Sequence, residues 1–197
     1  MSEWDAYADQ WDSDERVIHY SQQAYQSLTQ AINCDGLTIL DFGCGTGRLT
    51  ELLHPQAKRI VAVDSSEKMI GVLAAKNLPK AEPLAIGLNS SNSQPMHNTF
   101  DLIVASSVCA FLPDYQASLV LFRQLLKPQG YFVQWDWQKE AGDPAPGFTA
   151  EEIQAAFDQC LFKTISLQQA FTMQQGEDEV PVIMGIAQKR DQTGGCL

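Results

Sequence analysis

What is scarce in this sequence narrows its class before any motif is read. Histidine is rare, with His19, His54 and His97 far from one another, and the cysteines Cys34, Cys44, Cys109, Cys160 and Cys196 are odd in number with no C-x-x-C pair. Such spacing points to reduced thiols rather than a disulfide framework, and it offers no metal site along the chain. Positive charge is also short: 13 Lys+Arg against 24 Asp+Glu give a formal net charge of −11. Bulk attraction to nucleic acid or to an anionic membrane surface is therefore not expected. No apolar run approaches the roughly 20 residues of a membrane span. The start, Met1-Ser2-Glu3-Trp4-Asp5-Ala6-Tyr7, lacks the basic-then-apolar pattern of a secretion signal. The expectation is a cytoplasmic protein with no nucleic-acid partner and no stable membrane association. What is present, 197 residues with 45% hydrophobic and 19% charged positions, is the composition of one globular domain.

Along the chain, Val17, Tyr20, Ala24, Leu28, Ala31 and Ile32 recur at steps of three and four, which predicts a packing helix over 14–32. Leu37 to Asp41 is a strand-forming run that ends in Gly43, Gly45 and Gly47, after which Leu49, Leu52 and Leu53 return at helical spacing. Arg59 to Asp64 repeats the pattern as a strand apolar on both faces, followed by a helix begun by Ser65 or Ser66 and carrying Met69, Ile70, Val72 and Leu73. Next come a weaker strand over Leu84 to Leu88, a polar loop over Asn89 to Thr99, and a clear strand over Phe100 to Ala105. The helical face of Leu119 to Leu126 must stop before Pro128 and Gly130, and strand character resumes over Tyr131 to Trp135. Thr149 with Glu152 three residues on is a capping-box signature. Two strands, Thr164 to Met173 and Val180 to Ala187, flank an acidic turn and predict an antiparallel hairpin at one sheet edge. Alternating strands and helices imply a parallel sheet. The whole is read as a single domain over 1–197: an N-terminal cover and packing helix over 1–32, a sheet core over 33–189 and a tail over 190–197.

The strongest local feature is Asp41-Phe42-Gly43-Cys44-Gly45-Thr46-Gly47, placed where the first strand hands over to a helix. Ligands of parallel sheets sit at the carboxyl ends of the strands. Glycines there let the backbone take positive φ and approach a ligand closely. A dinucleotide fingerprint would require glycine at position 48, which is Arg48. The spacing suits a nucleoside ligand that lacks a pyrophosphate. A second anchor is Asp64, whose carboxylate can accept from both hydroxyls of a ribose; the alternative is that it only caps the following helix.

Asp41 to Gly47, followed by Val63-Asp64-Ser65-Ser66-Glu67-Lys68-Met69, then Asn98 to Val104 and Leu125-Leu126-Lys127-Pro128-Gln129-Gly130-Tyr131-Phe132, together resemble the class I S-adenosylmethionine-dependent methyltransferases. Tyr7-x-x-x-Trp11-Asp12, Trp135-Asp136 and Gly147-Phe148-Thr149 are similar to a small-molecule branch related to the quinone-biosynthesis methyltransferases. The resemblance implies an α/β fold with a Rossmann-like, doubly wound seven-stranded sheet, mostly parallel with an antiparallel terminal strand and helices on both faces. It implies S-adenosyl-L-methionine as cofactor, held by the loop Asp41, Gly43, Cys44, Gly45, Thr46 and Gly47 and by Asp64. Ser65 and Met69 would border the adenine, Asn89 and Ser90 stand nearest to where the family meets the adenine amine, and Ser106 would lie beside the methionine part. In the family the N-terminal segment folds over the cofactor, which makes Tyr7 and Trp11 a candidate lid. Phe111, Trp135 and Trp137 are candidate acceptor contacts, the last two on one face of a strand.

The expected reaction is in-line methyl transfer to a small-molecule acceptor, for which positioning and water exclusion matter most. No catalytic residue is assigned. Asp136, His19 and Glu140 are candidate bases, each with a purely structural alternative. Two other functions stay open: a non-catalytic protein of the same fold that binds the cofactor, and a nicotinamide-dependent oxidoreductase.

Overall fold

The computed structural model describes residues 3–176 and 178–190. Seven strands, β1 (Thr38–Phe42), β2 (Arg59–Asp64), β3 (Ala81–Ala85), β4 (Phe100–Ser106), β5 (Leu126–Trp137), β6 (Phe162–Gln175) and β7 (Asp178–Lys189), form one sheet. Their order is β3-β2-β1-β4-β5-β7-β6, with β1 to β5 parallel and β7 antiparallel to both neighbours. All five residues of β1 are buried, as a central strand covered on both faces requires.

Among the described residues six α-helices flank the sheet: α1 (Ala8–Trp11), α2 (Glu15–Ala31), α3 (Arg48–Leu53), α4 (Glu67–Ala75), α5 (Tyr115–Leu125) and α6 (Ala150–Gln159). Leu28, Leu53 and Leu73 of α2, α3 and α4 pack on Ile39 and Val104 on one face, while Phe122 and Phe157 of α5 and α6 pack with Leu40 and Phe132 on the other. Each longer helix starts where a polar side chain takes an otherwise unpaired amide. Asp14 accepts from Arg16 N–H, Ser66 from Met69 N–H and Asp114 from Ala117 N–H. Thr149 and Glu152 make the full capping box that the sequence predicts for α6.

The third strand sits earlier than its apolar run suggests, at Ala81–Ala85 rather than 84–88. Its register follows β2, with Ile60 opposite Ala81, and Pro83 is tolerated because β3 is an edge strand. Ile86, Gly87 and Leu88 are thereby released toward the ligand cleft. At the turn into β5, Gln129 adopts a φ of 63°, the left-handed conformation that favours glycine. The expected tail lies outside the described residues apart from Arg190, as does Glu177 of the acidic turn.

Candidate active site

At the carboxyl ends of the strands lies a cleft of about 1300 Å³. Its floor is the β1–α3 loop. Gly43 and Cys44 both donate N–H to Val63 O, at 2.9 and 3.1 Å, which folds the loop against the end of β2. Gly43, Gly45 and Gly47 take φ values of 68°, 54° and 80°. At Gly47 the absence of a side chain is also a packing requirement, because a Cβ there would stand 2.3 Å from Leu73 Cδ1.

Asp64 ties this loop to the next. Its Oδ2 accepts from Gly45 N–H at 3.0 Å and its Oδ1 from Ser66 N–H at 2.8 Å, and the carboxylate still lines the cleft. Each oxygen can accept a further hydrogen bond. A cis-diol presented beside Gly45 would therefore find two acceptors already held in place. This pair of acceptors fits the hydroxyls of a nucleoside ribose, and the glycine loop contains no Lys–Ser/Thr pair for a polyphosphate.

Asp41, beneath the loop, is buried and accepts from Thr50 Oγ1 at 2.5 Å. Burial raises its carboxyl to about 6 from an ordinary 3.8, with the Thr50 bond opposing and the Asp64 charge assisting. A raised folded-state value means the folded chain holds the proton more tightly than the unfolded one. The associated stability is complete below about pH 4 and fades as pH rises through 6. Urea unfolding from pH 4 to 7 should show wild type losing on the order of 2 kcal/mol more than Asp41→Asn over that window. Parallel profiles for the two chains would contradict the assignment. Burial, with the Asp41 and Asp64 charges, also pushes the Cys44 thiol well up, so it stays protonated and is no nucleophile.

Across the floor runs the N-terminal segment. Asp12 Oδ1 accepts from Thr46 Oγ1 at 2.5 Å and its Oδ2 pairs with Lys76 Nζ at 2.8 Å. Asp5 Oδ1 accepts from Ser66 Oγ at 2.6 Å. The segment is thus fastened once to the glycine loop, through Thr46, and to both ends of α4, through Ser66 and Lys76. Trp4 packs on Tyr7, Trp11 and Phe111 at ring separations of 6.1, 6.1 and 5.5 Å. The far wall is apolar, formed by Tyr20, Val108, Trp137 and Met173 among others.

Of the site residues expected from sequence, Asp41, Gly43, Cys44, Gly45, Asp64, Ser65, Met69, Asn89, Ser90 and Ser106 line the cleft, with Trp11, Phe111 and Trp137 on its aromatic side. Thr46 and Gly47 are buried behind the loop, Thr46 against Asp12 and Gly47 against Leu73. Tyr7 is 57% exposed and stacks on the outside of the cover. Trp135 does not share the mouth with Trp137. It is 0% exposed, one pleat deeper on the same face, and its Nε1–H donates to Ser27 Oγ of α2 at 2.9 Å. The candidate bases also lie off the lining: Asp136 is fully buried, and His19 and Glu140 are on the exposed surface. Tyr20, Met173 and Gln174 line the cleft without having been singled out as site residues, and only Tyr20 had a signal, its place on the stripe of α2.

Comparison with known proteins follows the same lines. The methyltransferase-domain family profile matches residues 40–132, from β1 into β5. The chain is 35% identical to an uncharacterized methyltransferase of Schizosaccharomyces pombe over 59% of this chain and 44% of that protein. It is 30% identical to a ubiquinone biosynthesis O-methyltransferase of Bradyrhizobium diazoefficiens over 55% of this chain and 44% of that one. The chain therefore spans less than half the length of these curated relatives. In fold it superposes on a SAM-dependent methyltransferase from Aquifex aeolicus with a TM-score of 0.71 at 18% identity, covering 93% of this chain and 97% of the other.

Proposed function

Since the chain belongs to the class I S-adenosylmethionine-dependent methyltransferase family, we propose that it transfers a methyl group to a small, flat, largely apolar acceptor seated on the aromatic side of the cleft. The observation that carries this is the Asp64 carboxylate, fixed by Gly45 and Ser66 and facing the cleft beside the glycine loop. The cofactor, when bound, would supply an electrophilic sulfonium methyl beside the acceptor wall.

The chain's own work is binding, orientation and exclusion of water. Asp64 would accept from the ribose hydroxyls, with Gly43 and Gly45 presenting bare backbone to the sugar and methionine portions. Met69, Ser65, Asn89 and Ser90 surround the position open to the adenine. Tyr20, Trp137, Met173 and Phe111 form the wall against which an acceptor would lie, and aromatic faces there also favour a nearby cation. The cover of Trp4, Tyr7 and Trp11 closes the site from water, which strengthens every electrostatic contact inside. Similarity to a quinone-pathway O-methyltransferase supports a planar acceptor.

Removing the Trp11 indole takes away the cover's contact over Gly45. Trp11→Ala is expected to weaken S-adenosylhomocysteine binding about five- to twentyfold in calorimetry, and unchanged affinities for cofactor and acceptor would remove the lid from the account. One observation favours a second reading, a cofactor-binding protein without turnover: Asp136, His19 and Glu140 all stand off the lining. Incubation with S-adenosylmethionine and a panel of phenols, quinols and amines separates the two. Formation of S-adenosylhomocysteine above the acceptor-free rate supports transfer, and tight cofactor binding with no product from any acceptor supports the second reading.

A further inference from the structure

Asp136 is a buried carboxylate that the cleft does not touch, yet its bonds run straight into the cleft wall. It stands near the end of β5, is 0% exposed, and has no Lys or Arg among its partners in the described residues. Its Oδ1 accepts from Ala110 N–H at 3.2 Å and its Oδ2 from Gln134 Nε2 at 3.0 Å, while Gln134 Oε1 accepts from the Tyr115 hydroxyl. The titratable groups facing it from neighbouring elements are Tyr20 of α2, Cys109 in the turn after β4, and Tyr115 of α5. None of them brings a positive charge.

Ala110 immediately precedes Phe111, whose ring lines the cleft and meets Trp4 edge-on at 5.5 Å. Trp4 in turn packs on Trp11, whose Nε1 lies 3.5 Å from the position a Cβ would take on Gly45. A continuous series of contacts therefore joins one carboxylate at the end of β5 to the acceptor wall and then to the cover above the glycine loop. We propose that Asp136 is a positioning residue: by holding the Ala110 amide it places Phe111, and through Phe111 and Trp4 it sets the closed position of the N-terminal cover. The proposal rests on the reading of the cleft as a methyl-transfer site and adds the means by which its acceptor wall and its cover are kept in register.

The network has two polarities. When ionised, Asp136 takes the Ala110 N–H in a charge-assisted bond, roughly twice as strong as a neutral one. When protonated, Oδ2 donates, the Gln134 amide turns over and the Tyr115 hydroxyl accepts, leaving a weaker hold on Ala110. Burial pushes this carboxyl up to about 8, against the Ala110 and Gln134 bonds, so the cover is held more tightly above that pH than below it.

Hydrogen exchange of the full chain, read by mass spectrometry, tests this without needing an acceptor. Asp136→Ala is expected to speed exchange tenfold or more in residues 107–112 and also in 4–11. Asp136→Asn, which keeps an acceptor for Ala110, should stay within about threefold of wild type. Exchange in 4–11 that ignores Asp136→Ala overturns the coupling, and equal acceleration in both variants overturns the role of the Ala110 bond. Should the alanine chain fail to fold, the pH series decides. Wild-type exchange in 107–112, corrected for intrinsic rates, should slow from pH 6.5 to 9 while Asp136→Asn stays flat, and identical trends overturn the proposal. In parallel, S-adenosylhomocysteine should leave Asp136→Ala at least fivefold faster than wild type. Failure of wild type to bind it at all would sink the methyltransferase reading, while the exchange experiment would still decide the positioning role.

Discussion

Replacing Asp64 with alanine is expected to weaken S-adenosylhomocysteine binding at least a hundredfold, about 3 kcal/mol. The size follows from the number of tasks that one carboxylate performs. It holds Gly45 N–H at 3.0 Å, which fixes the glycine loop, and Ser66 N–H at 2.8 Å, which fixes the start of α4. Its side chain also lines the cleft, where a ribose diol would add two hydrogen bonds to the carboxylate, each worth about 1.5–3 kcal/mol. Asp64→Asn keeps the shape and one acceptor oxygen but sets an amide against the Gly45 or Ser66 N–H, and should fall between, near tenfold. Calorimetric titration of the three chains, with melting curves to confirm folding, reads the effect. Affinity within threefold of wild type for Asp64→Ala would reduce Asp64 to a helix-start residue.

The second large effect is expected at Gly43. Its φ of 68° already disfavours any side chain, and a Cβ there would stand 2.5 Å from Val108 Cγ2 and 2.9 Å from Val108 Cβ. The Cβ of Val108 cannot rotate aside, so the segment after β4 has to move, and with it the acceptor wall. Left-handed strain of about 1 kcal/mol and overpacking of about 1–3 kcal/mol should lower Tm by roughly 5–15 °C. Gly45→Ala is the informative contrast. Its φ of 54° carries the same left-handed strain, but the nearest atom to its Cβ is Trp11 Nε1 at 3.5 Å, so the overpacking cost is absent, the loss in Tm should be only about 2–4 °C, and the loss in cofactor affinity should be large because the methyl enters the cleft. Equal Tm losses for the two variants would contradict the packing argument.

The glycine loop and Asp64 were legible because their signals are local: a strand that ends in clustered glycines, and an acid at the end of the next strand. The alternation of strands and helices made the parallel sheet readable for the same reason. Depth was not readable. Trp135 and Trp137 share a face, but only the fold decides that the first is sealed under α2 beside Ser27 while the second reaches the cleft. The third strand was displaced because an edge strand takes its register from the backbone of β2, which apolar patterning does not encode.

Residues brought in from afar were equally hidden. Met173 and Gln174 reach the cleft only because β7 inserts between β5 and β6, carrying the tip of the hairpin toward the site. The fastenings of the cover join residues 34 and 61 positions apart, Asp12 with Thr46 and Asp5 with Ser66. In the sequence Asp12 stood out only within the Tyr7-x-x-x-Trp11-Asp12 resemblance, with no partner indicated, and Asp5 carried no signal. Asp136 was visible as a candidate base, but its burial off the cleft lining and its bond to the Ala110 amide were not.

Recognition of an adenosyl sulfur compound by the glycine loop and Asp64 is decided by calorimetric titration of the purified chain with S-adenosylmethionine, S-adenosylhomocysteine and NADH. Saturable one-to-one binding is expected for both adenosyl sulfur compounds and none for NADH, whose pyrophosphate finds no third glycine at Arg48. Binding of NADH alone, or of none of the three, would contradict it.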